Sequence, residues 1–491
     1  MTDSEYQPDP LRWKALAVTL AAGFMGLLDV SIVNVALPSI QKGIGADAGT
    51  AQWVVSGYAL TFGLVLVSGG RLGDALGRRR MFLIALAAFV ATSALAGAAM
   101  NDVWLVVARL LQGSAAGMLT PQNSGLIQEL FRGAERAKAF GIFGAVVGIS
   151  TAVGPVLGGV ILALFGEQNG WRWVFYVNVP IGVVAFALAM KLVPGRPGRR
   201  FSLRHEIDFV GIGLLGLTVL GVLLPLVESE QDGLARLWWL FPVAVAFGVA
   251  FVLWERRVVR VARSPLIDIR LFTSTPGYGS GAALGAVYFC GFAGIWLVFA
   301  IFFQQGLGYS PLQSGLSVTP FAIGSAIAAA VAGRLVPRWG RRLTVTGLSL
   351  VALGLLTVAL LAWLLPNTEH LGLFLIAPLL VGGIGGGMVI SPNTTLTLEC
   401  VPTRMAGVAG GALQTGQRIG TAIGTAVLAG VLRSVVAATH GEFTTGLAVA
   451  MLCAVGFVLV ALILGIGELR ARRARASGDQ LQHVTMAAPS E

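Results

Sequence analysis

The sequence predicts an all-α integral membrane protein built from two related halves, and three observations predict it. Of 491 residues, 56% are hydrophobic and 12% charged, with a mean hydropathy of +0.81, so polar side chains are too few for a water-facing surface. Apolar runs of about 20 residues recur along the chain, each long enough for ~30 Å of hydrocarbon at ~1.5 Å per residue. Finally, a decapeptide pattern occurs twice. Gly70-Arg71-Leu72-Gly73-Asp74-Ala75-Leu76-Gly77-Arg78-Arg79 returns as Gly333-Arg334-Leu335-Val336-Pro337-Arg338-Trp339-Gly340-Arg341-Arg342, each time in a short basic loop between apolar runs. Such internal repeats mark chains whose halves enclose a path across the membrane. The first copy carries Asp74 where the second has Pro337, so the halves are related but not equivalent.

Fourteen runs are read, centred near residues 26, 61, 90, 115, 152, 183, 218, 246, 290, 323, 355, 385, 420 and 455. A transmembrane barrel would show alternating segments of about ten residues instead. The 66 glycines suit helices packed closely in lipid. The repeat loops follow the second and tenth runs, eight spans apart, whereas two plain halves of six would place them six apart. Two spans are therefore inserted between the halves. The expected organisation is an N-terminal tail (1–14), a six-helix half (15–193), a basic linker (194–207), a two-helix hairpin (208–254), a second linker (255–276), a second six-helix half (277–467) and a basic, disordered tail (468–491). The hairpin turns over through the acidic stretch Glu228-Ser229-Glu230-Gln231-Asp232.

Lys and Arg supply the orientation. With the N-terminus placed in the cytoplasm, 28 of the 34 fall in the tails and even-numbered loops; Lys42, Arg172, Arg236 and Arg433 lie in outer loops, and Arg109 and Arg418 inside spans. That bias is the positive-inside rule, with both termini cytoplasmic. The net charge of +11 therefore reflects topology; a nucleic-acid footprint would gather in one domain. No cleavable signal peptide is expected before the first span. Cys290, Cys400 and Cys453 are too scattered for a disulfide framework or metal cluster, and all four histidines lie in loops or tails. No phosphate-cradling Gly-x4-Gly-Lys-Ser/Thr stretch occurs. The sequon at Asn393 falls on the cytoplasmic side and is expected to be inert. No cofactor or metal is expected, and no partner beyond a small-molecule substrate, protons and lipid; a monomer is expected.

Several segments resemble the major facilitator superfamily, and within it the fourteen-span drug/proton antiporter family. Leu28-Asp29-Val30-Ser31-Ile32-Val33-Asn34-Val35-Ala36-Leu37-Pro38 is similar to that family's first-span signature. Gly70 to Arg80 resembles the superfamily's loop motif, Arg109-Leu110-Leu111-Gln112-Gly113 its fourth-span motif, and Gly154-Pro155-Val156-Leu157-Gly158-Gly159 the antiporter motif of span five. Trp171-Arg172-Trp173-Val174-Phe175-Tyr176-Val177-Asn178-Val179-Pro180 looks like the entry into span six. One departure is Ser150, where the longer antiporter motif has a further Gly. The resemblance implies the superfamily fold, a cavity lined by spans one and four, a cytoplasmic lock formed by Asp74, and an antiport seal at the span-five bend.

The residues also argue for themselves. An ionisable side chain deep in a span is costly unless paired or hydrated, so each is a functional candidate. Asp29 is the only deep acid in the fourteen runs. It and Arg109 lie at comparable depth from the outer face. Arg cannot release its proton, so Asp29 is the group able to switch. A structural ion pair that specifies helix packing is the alternative reading. Gln112 continues the Arg109 face, and Gln414, Gln417 and Arg418 form a similar polar stripe on span thirteen; with Asn34 they are the candidate cavity residues. The glutamines suit interhelical hydrogen bonding as well as substrate contact. Gly70, Gly73 and Gly77 allow a tight turn and close contact, with Asp74, Arg78 and Arg79 as the charged members of the gate. Gly154, Gly158 and Gly159 offer a smooth packing face, and Pro155 a bend.

The expected function is proton-coupled efflux of a hydrophobic or amphipathic small molecule across the inner membrane. Export of one endogenous metabolite, and proton symport for uptake, remain alternatives. A membrane transferase is disfavoured, because no span carries a histidine or a carboxylate pair.

Overall fold

The computed structural model describes residues 8–46, 48–166, 168–195, 208–228, 233–261, 265–365 and 371–486. Among them there is no strand, and helices follow the apolar runs in order. In the N-terminal half these are α1 (Arg12–Ile44), α2 (Ala48–Leu76), α3 (Arg78–Gly97), α4 (Asp102–Leu130), α5 (Gly133–Phe165) and α6, broken at Val177 into Gly170–Tyr176 and Asn178–Leu192. Next come α7 (Phe209–Val227) and α8 (Leu240–Arg260), which pack on each other, with α7 also against α2. The C-terminal half holds α9 (Tyr278–Ile301), α10 (Pro311–Trp339), α11 (Arg341–Leu364), α12 (Ile376–Thr397), α13 (Ala406–Ala438) and α14 (Phe443–Met486).

Twelve of the described helices are long and apolar enough to cross a membrane, two fewer than the sequence suggests. The two left out are α5, whose uninterrupted described apolar part is Val156–Phe165, and α8, which ends in Glu255, Arg256, Arg257 and Arg260. Most of the linker 194–207, positions 229–232 of the acidic turn, His205 and His370 lie outside the described residues. The expected boundary at 467 falls inside α14, so Glu468 and Arg472 belong to the helical bundle and not to a separate tail.

Local chemistry places the breaks. Gly77 (φ 95°) and Gly340 (φ 52°) separate α2 from α3 and α10 from α11, each in a backbone conformation that favours glycine. The two copies of the repeat thus both break the helix at a positive-φ glycine, although ψ differs, 129° at Gly77 and -134° at Gly340. Asn101 caps α4 by accepting from Trp104 N at 2.8 Å, and Ser310 and Gln313 form a capping box at the start of α10. α1 continues through Pro38 to Ile44, further than the expected span.

The halves meet where α2 packs on α13 and α5 on α10. Glycines set both contacts: a Cβ on Gly70 would lie 2.3 Å from the Gly407 carbonyl oxygen, and one on Gly333 would lie 2.6 Å from the Cα of Gly141. Gly70 and Gly333 are equivalent positions of the repeat, so the two crossings are related by the same internal symmetry. One apolar core runs through the N-terminal half and includes Tyr278 and Leu413 from the other, while the C-terminal half has its own core around Phe299, Phe302 and Leu355.

Candidate functional site

Two charged constellations stand out, one inside the N-terminal half and one where the halves meet at the end of the bundle carrying the basic loops.

Inside, Asp29 of α1 is 0% exposed and Arg109 of α4 is 1% exposed. The Asp29 Oδ2 accepts from Arg109 Nη1 at 2.5 Å, and its Oδ1 accepts from Gln112 Nε2 at 3.1 Å and Asn178 Nδ2 at 3.2 Å. Arg109 also donates to the Val54 carbonyl and to Gln112 Oε1, both at 2.8 Å, and its guanidinium lies 4.2 Å from the Tyr58 ring centroid. Asn178 is oriented by Ser93, whose hydroxyl it reaches at 3.1 Å. Donors from α4 and α6 therefore converge on one carboxylate of α1, and both of its oxygens are satisfied. In this state Asp29 has no path to water, so exchanging a proton there requires the bundle to rearrange.

Asp29, Arg109 and Gln112 come together as the sequence suggests. Asn34 does not join them: it is exposed, five residues further on and about 140° round the helix. Asn178 lies within a motif noted in the sequence, yet its role there rests on a contact 149 positions away that no local pattern shows. Tyr58 and Phe62 were missed because aromatic residues four apart on a span read as ordinary core. The glycines of α5 pack beside this site: a Cβ on Gly154 would strike Ser31 and one on Gly158 would crowd Ile32, while the Ser31 hydroxyl reaches the Ser150 carbonyl at 3.3 Å. Gly159 is a correction, because nothing lies within 4 Å of a Cβ there. The side chain of Pro155 falls outside what is described.

At the basic end, the Asp74 carboxylate accepts from Gly407 N at 3.0 Å and Val408 N at 2.9 Å. These are amides of the first turn of α13, so a carboxylate of one half caps a helix of the other and meets its positive dipole end. Arg78 donates to Asp74 at 2.9 Å, to Glu129 at 3.1 Å, to the Gly125 carbonyl at 2.6 Å and to the Thr403 carbonyl. Arg79 takes no part in this latch and instead donates to the Met190 carbonyl of α6. The second copy of the repeat builds a different cluster. Arg341, equivalent to Arg78, pairs with Glu468 at 2.7 Å and donates to Asn393 Oδ1 at 2.6 Å, all within the C-terminal half. Glu468 was missed because it lies one residue past the expected end of the last span. Gln414 bridges the halves, donating to Ser124 Oγ at 3.2 Å; Gln417 stays within its own half, near Gly285. Arg418 lies over the Phe62 ring of α2, 4.3 Å from its centroid.

A helical membrane bundle of two symmetry-related halves, with a buried ion pair inside and a charged latch between them, defines a transporter and not an enzyme. The Major Facilitator Superfamily profile matches residues 19–425 and 281–484, and the chain belongs to that family. It is 36% identical to the "Probable actinorhodin transporter" of Streptomyces coelicolor, over 84% of this chain and 71% of that one. It is 34% identical to the "Puromycin resistance protein pur8" of Streptomyces alboniger, over 98% of this chain and 96% of that one. It is also 34% identical to the "Multidrug resistance protein Stp" of Mycobacterium tuberculosis, over 85% and 75%. The fold is shared with the human organic anion transporter MFSD10, at a TM-score of 0.66 and 14% identity, over 93% of this chain and all of that one.

Proposed function

We propose that the chain is a proton-driven exporter of hydrophobic or amphipathic small molecules, drugs or antibiotics among them, across the cytoplasmic membrane. The observation that carries this reading is the Asp29–Arg109 pair, the one carboxylate–guanidinium contact lying deep within spans among the described residues. The relatives' names, all of resistance or transport, point to export. Inward proton flow supplies ~2.3 kcal/mol per charge per 100 mV. Asp29 is the proton carrier and Arg109 its counter-charge; Gln112, Asn178 and Tyr58 hold the pair in place. The Asp74–Arg78 latch closes the cytoplasmic side, so that the state described here opens, when it opens, to the outside.

The chain has fourteen spans in this reading, with α5 and α8 as the remaining two. α5 has 33 residues and packs on α1 and α10; α8 has 21 and packs on α7. The hairpin 208–254 is an insertion between the halves 15–193 and 277–467. Both termini are cytoplasmic, since the basic loops gather at one end. The working unit is a monomer, because one chain supplies both halves and the coupling pair.

A second reading has support of its own: two relatives are named for a single compound, actinorhodin or puromycin, which favours a dedicated exporter. One experiment separates the two. The chain is expressed in a pump-deficient host and challenged with a panel of unrelated compounds. Broad loss of susceptibility supports multidrug export, and protection against one compound class supports the dedicated exporter. If no compound leaves the cells faster than in the empty host, export itself is wrong.

A further inference from the structure

Arg109 and Arg418 are the two arginines that the sequence places inside spans, and their surroundings are opposite. Arg109 is fully enclosed, and its guanidinium meets polar and aromatic groups: Asp29, Gln112, the Val54 carbonyl, Tyr58 and Phe175. Arg418 sits twelve residues into α13, about 18 Å along the helix and near the middle of the bilayer. It is half-buried, and among the described residues it makes neither an ion pair nor a hydrogen bond. Its guanidinium instead faces Phe62, 4.3 Å from the ring centroid. Phe62 in turn stacks on Tyr58, with centroids 6.1 Å apart and planes at 28°, and Tyr58 carries Arg109. Two rings of α2 therefore hold one arginine from each half.

A guanidinium at that depth without a carboxylate is expensive, and an aromatic face offsets only part of the cost. The arrangement does have one clear chemical use. With its Cζ 4.3 Å from the Phe62 centroid, the guanidinium has no protein acceptor among the described residues, and its planar fork can receive two oxygens side by side.

We propose that Arg418, held by Phe62, is an anion subsite of the transport cavity that receives the carboxylate, or the phenolate oxygen, of an exported organic acid. Arg418 contacts the ligand, and Phe62 is a positioning residue. The subsite deepens the export reading and rests on it for its place in the cycle, but its chemistry is tested by binding alone. Divalent organic cations are disfavoured there by the same charge.

The test uses the full-length protein in lipid nanodiscs and two probes of equal shape, anthracene-9-carboxylate and anthracene-9-carboxamide, titrated calorimetrically at about pH 7.5. The wild type is expected to bind the carboxylate about tenfold more tightly than the amide, the scale of one charge-assisted bidentate contact. Arg418→Gln should erase the preference while leaving amide affinity within about twofold, and Arg418→Lys should retain part of it, since Lys lacks the fork. Phe62→Leu should weaken carboxylate binding with the melting temperature unchanged, which a purely structural Phe62 would not allow. If Arg418→Gln does not fold, the Lys and Leu variants decide. A wild type that binds neither probe or binds both equally overturns the proposal, as does a preference that survives Arg418→Gln. Carboxylate-selective binding in a protein that exports nothing from cells would instead sink the export reading and leave the subsite standing.

Discussion

Gly70 of α2 and Gly407 of α13 bring the backbones of the two halves into direct contact, with no room for a Cβ on Gly70. The contact sits beside the amides that Asp74 caps. Gly70→Ala must therefore push α13 away and pull Gly407 N and Val408 N out of the carboxylate's reach. Overpacking of this kind costs about 1–3 kcal/mol, here charged against the latched state alone. Dye efflux from loaded cells should fall by about tenfold or more, at unchanged expression. Gly430→Ala is the matched control, because nothing lies within 4 Å of a Cβ there. Equal efflux from the two variants would mean that the helix crossing does not gate transport.

Asp74→Asn separates charge from shape at the same place. Asn keeps an acceptor oxygen for one amide of α13 but loses the attraction to Arg78 and to the positive helix end. Transport should drop by at least about an order of magnitude. Pro337→Ala, at the equivalent position of the second copy, should be mild, since the C-terminal cluster runs through Arg341, Glu468 and Asn393 without it. Efflux assays on both variants in parallel check this. Equal damage would reduce the loops to turns and topology signals.

The membrane class, the order of the helices and the repeat were legible in the sequence because each is written in local pattern: run length, glycine spacing, charge position. The comparable depth of Asp29 and Arg109 was legible too, because depth can be counted from span ends, while the resemblance implied that their two spans line one cavity. What was hidden is what depends on long-range contact or on where a span stops. Asn178 joins Asp29 only once α6 folds against α1. Glu468 reads as tail until α14 continues past it to meet Arg341. The asymmetry of Asp74 and Pro337 was visible, whereas the backbone amides that receive Asp74 carry no sequence signal at all. Gly159 shows the opposite error: a motif glycine counted as a packing surface stands in open space.

Asp29→Asn tests the coupling pair. Asn preserves the size of the side chain and can still accept from Arg109, but it cannot titrate. Proton uptake driven by substrate in proteoliposomes should vanish while the protein inserts and binds normally. Arg109→Ala leaves a buried carboxylate without its cation, which costs about 3–5 kcal/mol for a pair of this kind and should lower expression as well as transport. Arg109→Lys should restore folding and only part of the rate, because an ammonium lacks the planar fork whose Nε reaches the Val54 carbonyl while Nη1 reaches Asp29 and Gln112. Proton uptake that persists in Asp29→Asn would move coupling to another group.

Glu255, the first residue past the hairpin, gives a prediction about pH. Its carboxyl is buried, Oε1 accepts from Leu266 N at 3.1 Å and Ile267 N at 3.4 Å, and Oε2 has no partner. Burial first, and then the nearby Asp208 carboxylate, push it up from 4.5 to about 7, against the pull of those two amides and of Arg71. The folded protein thus keeps a proton that the unfolded chain has released between pH 4.5 and about 7. By linkage, this group's contribution to stability is greatest at low pH, declines as pH rises through that window, and is flat above it. Glu255→Gln retains an oxygen for the two amides and offers an N–H₂ toward Asp208, without a charge to bury. The melting temperature of the variant relative to wild type should therefore rise from about pH 5 to about pH 7.5, a comparison in which every other titrating group cancels. A difference that stays constant across that range, or shrinks, would show that Glu255 is already ionised in the folded protein at low pH and that the clasp between the hairpin and the segment leading into α9 is insensitive to protons.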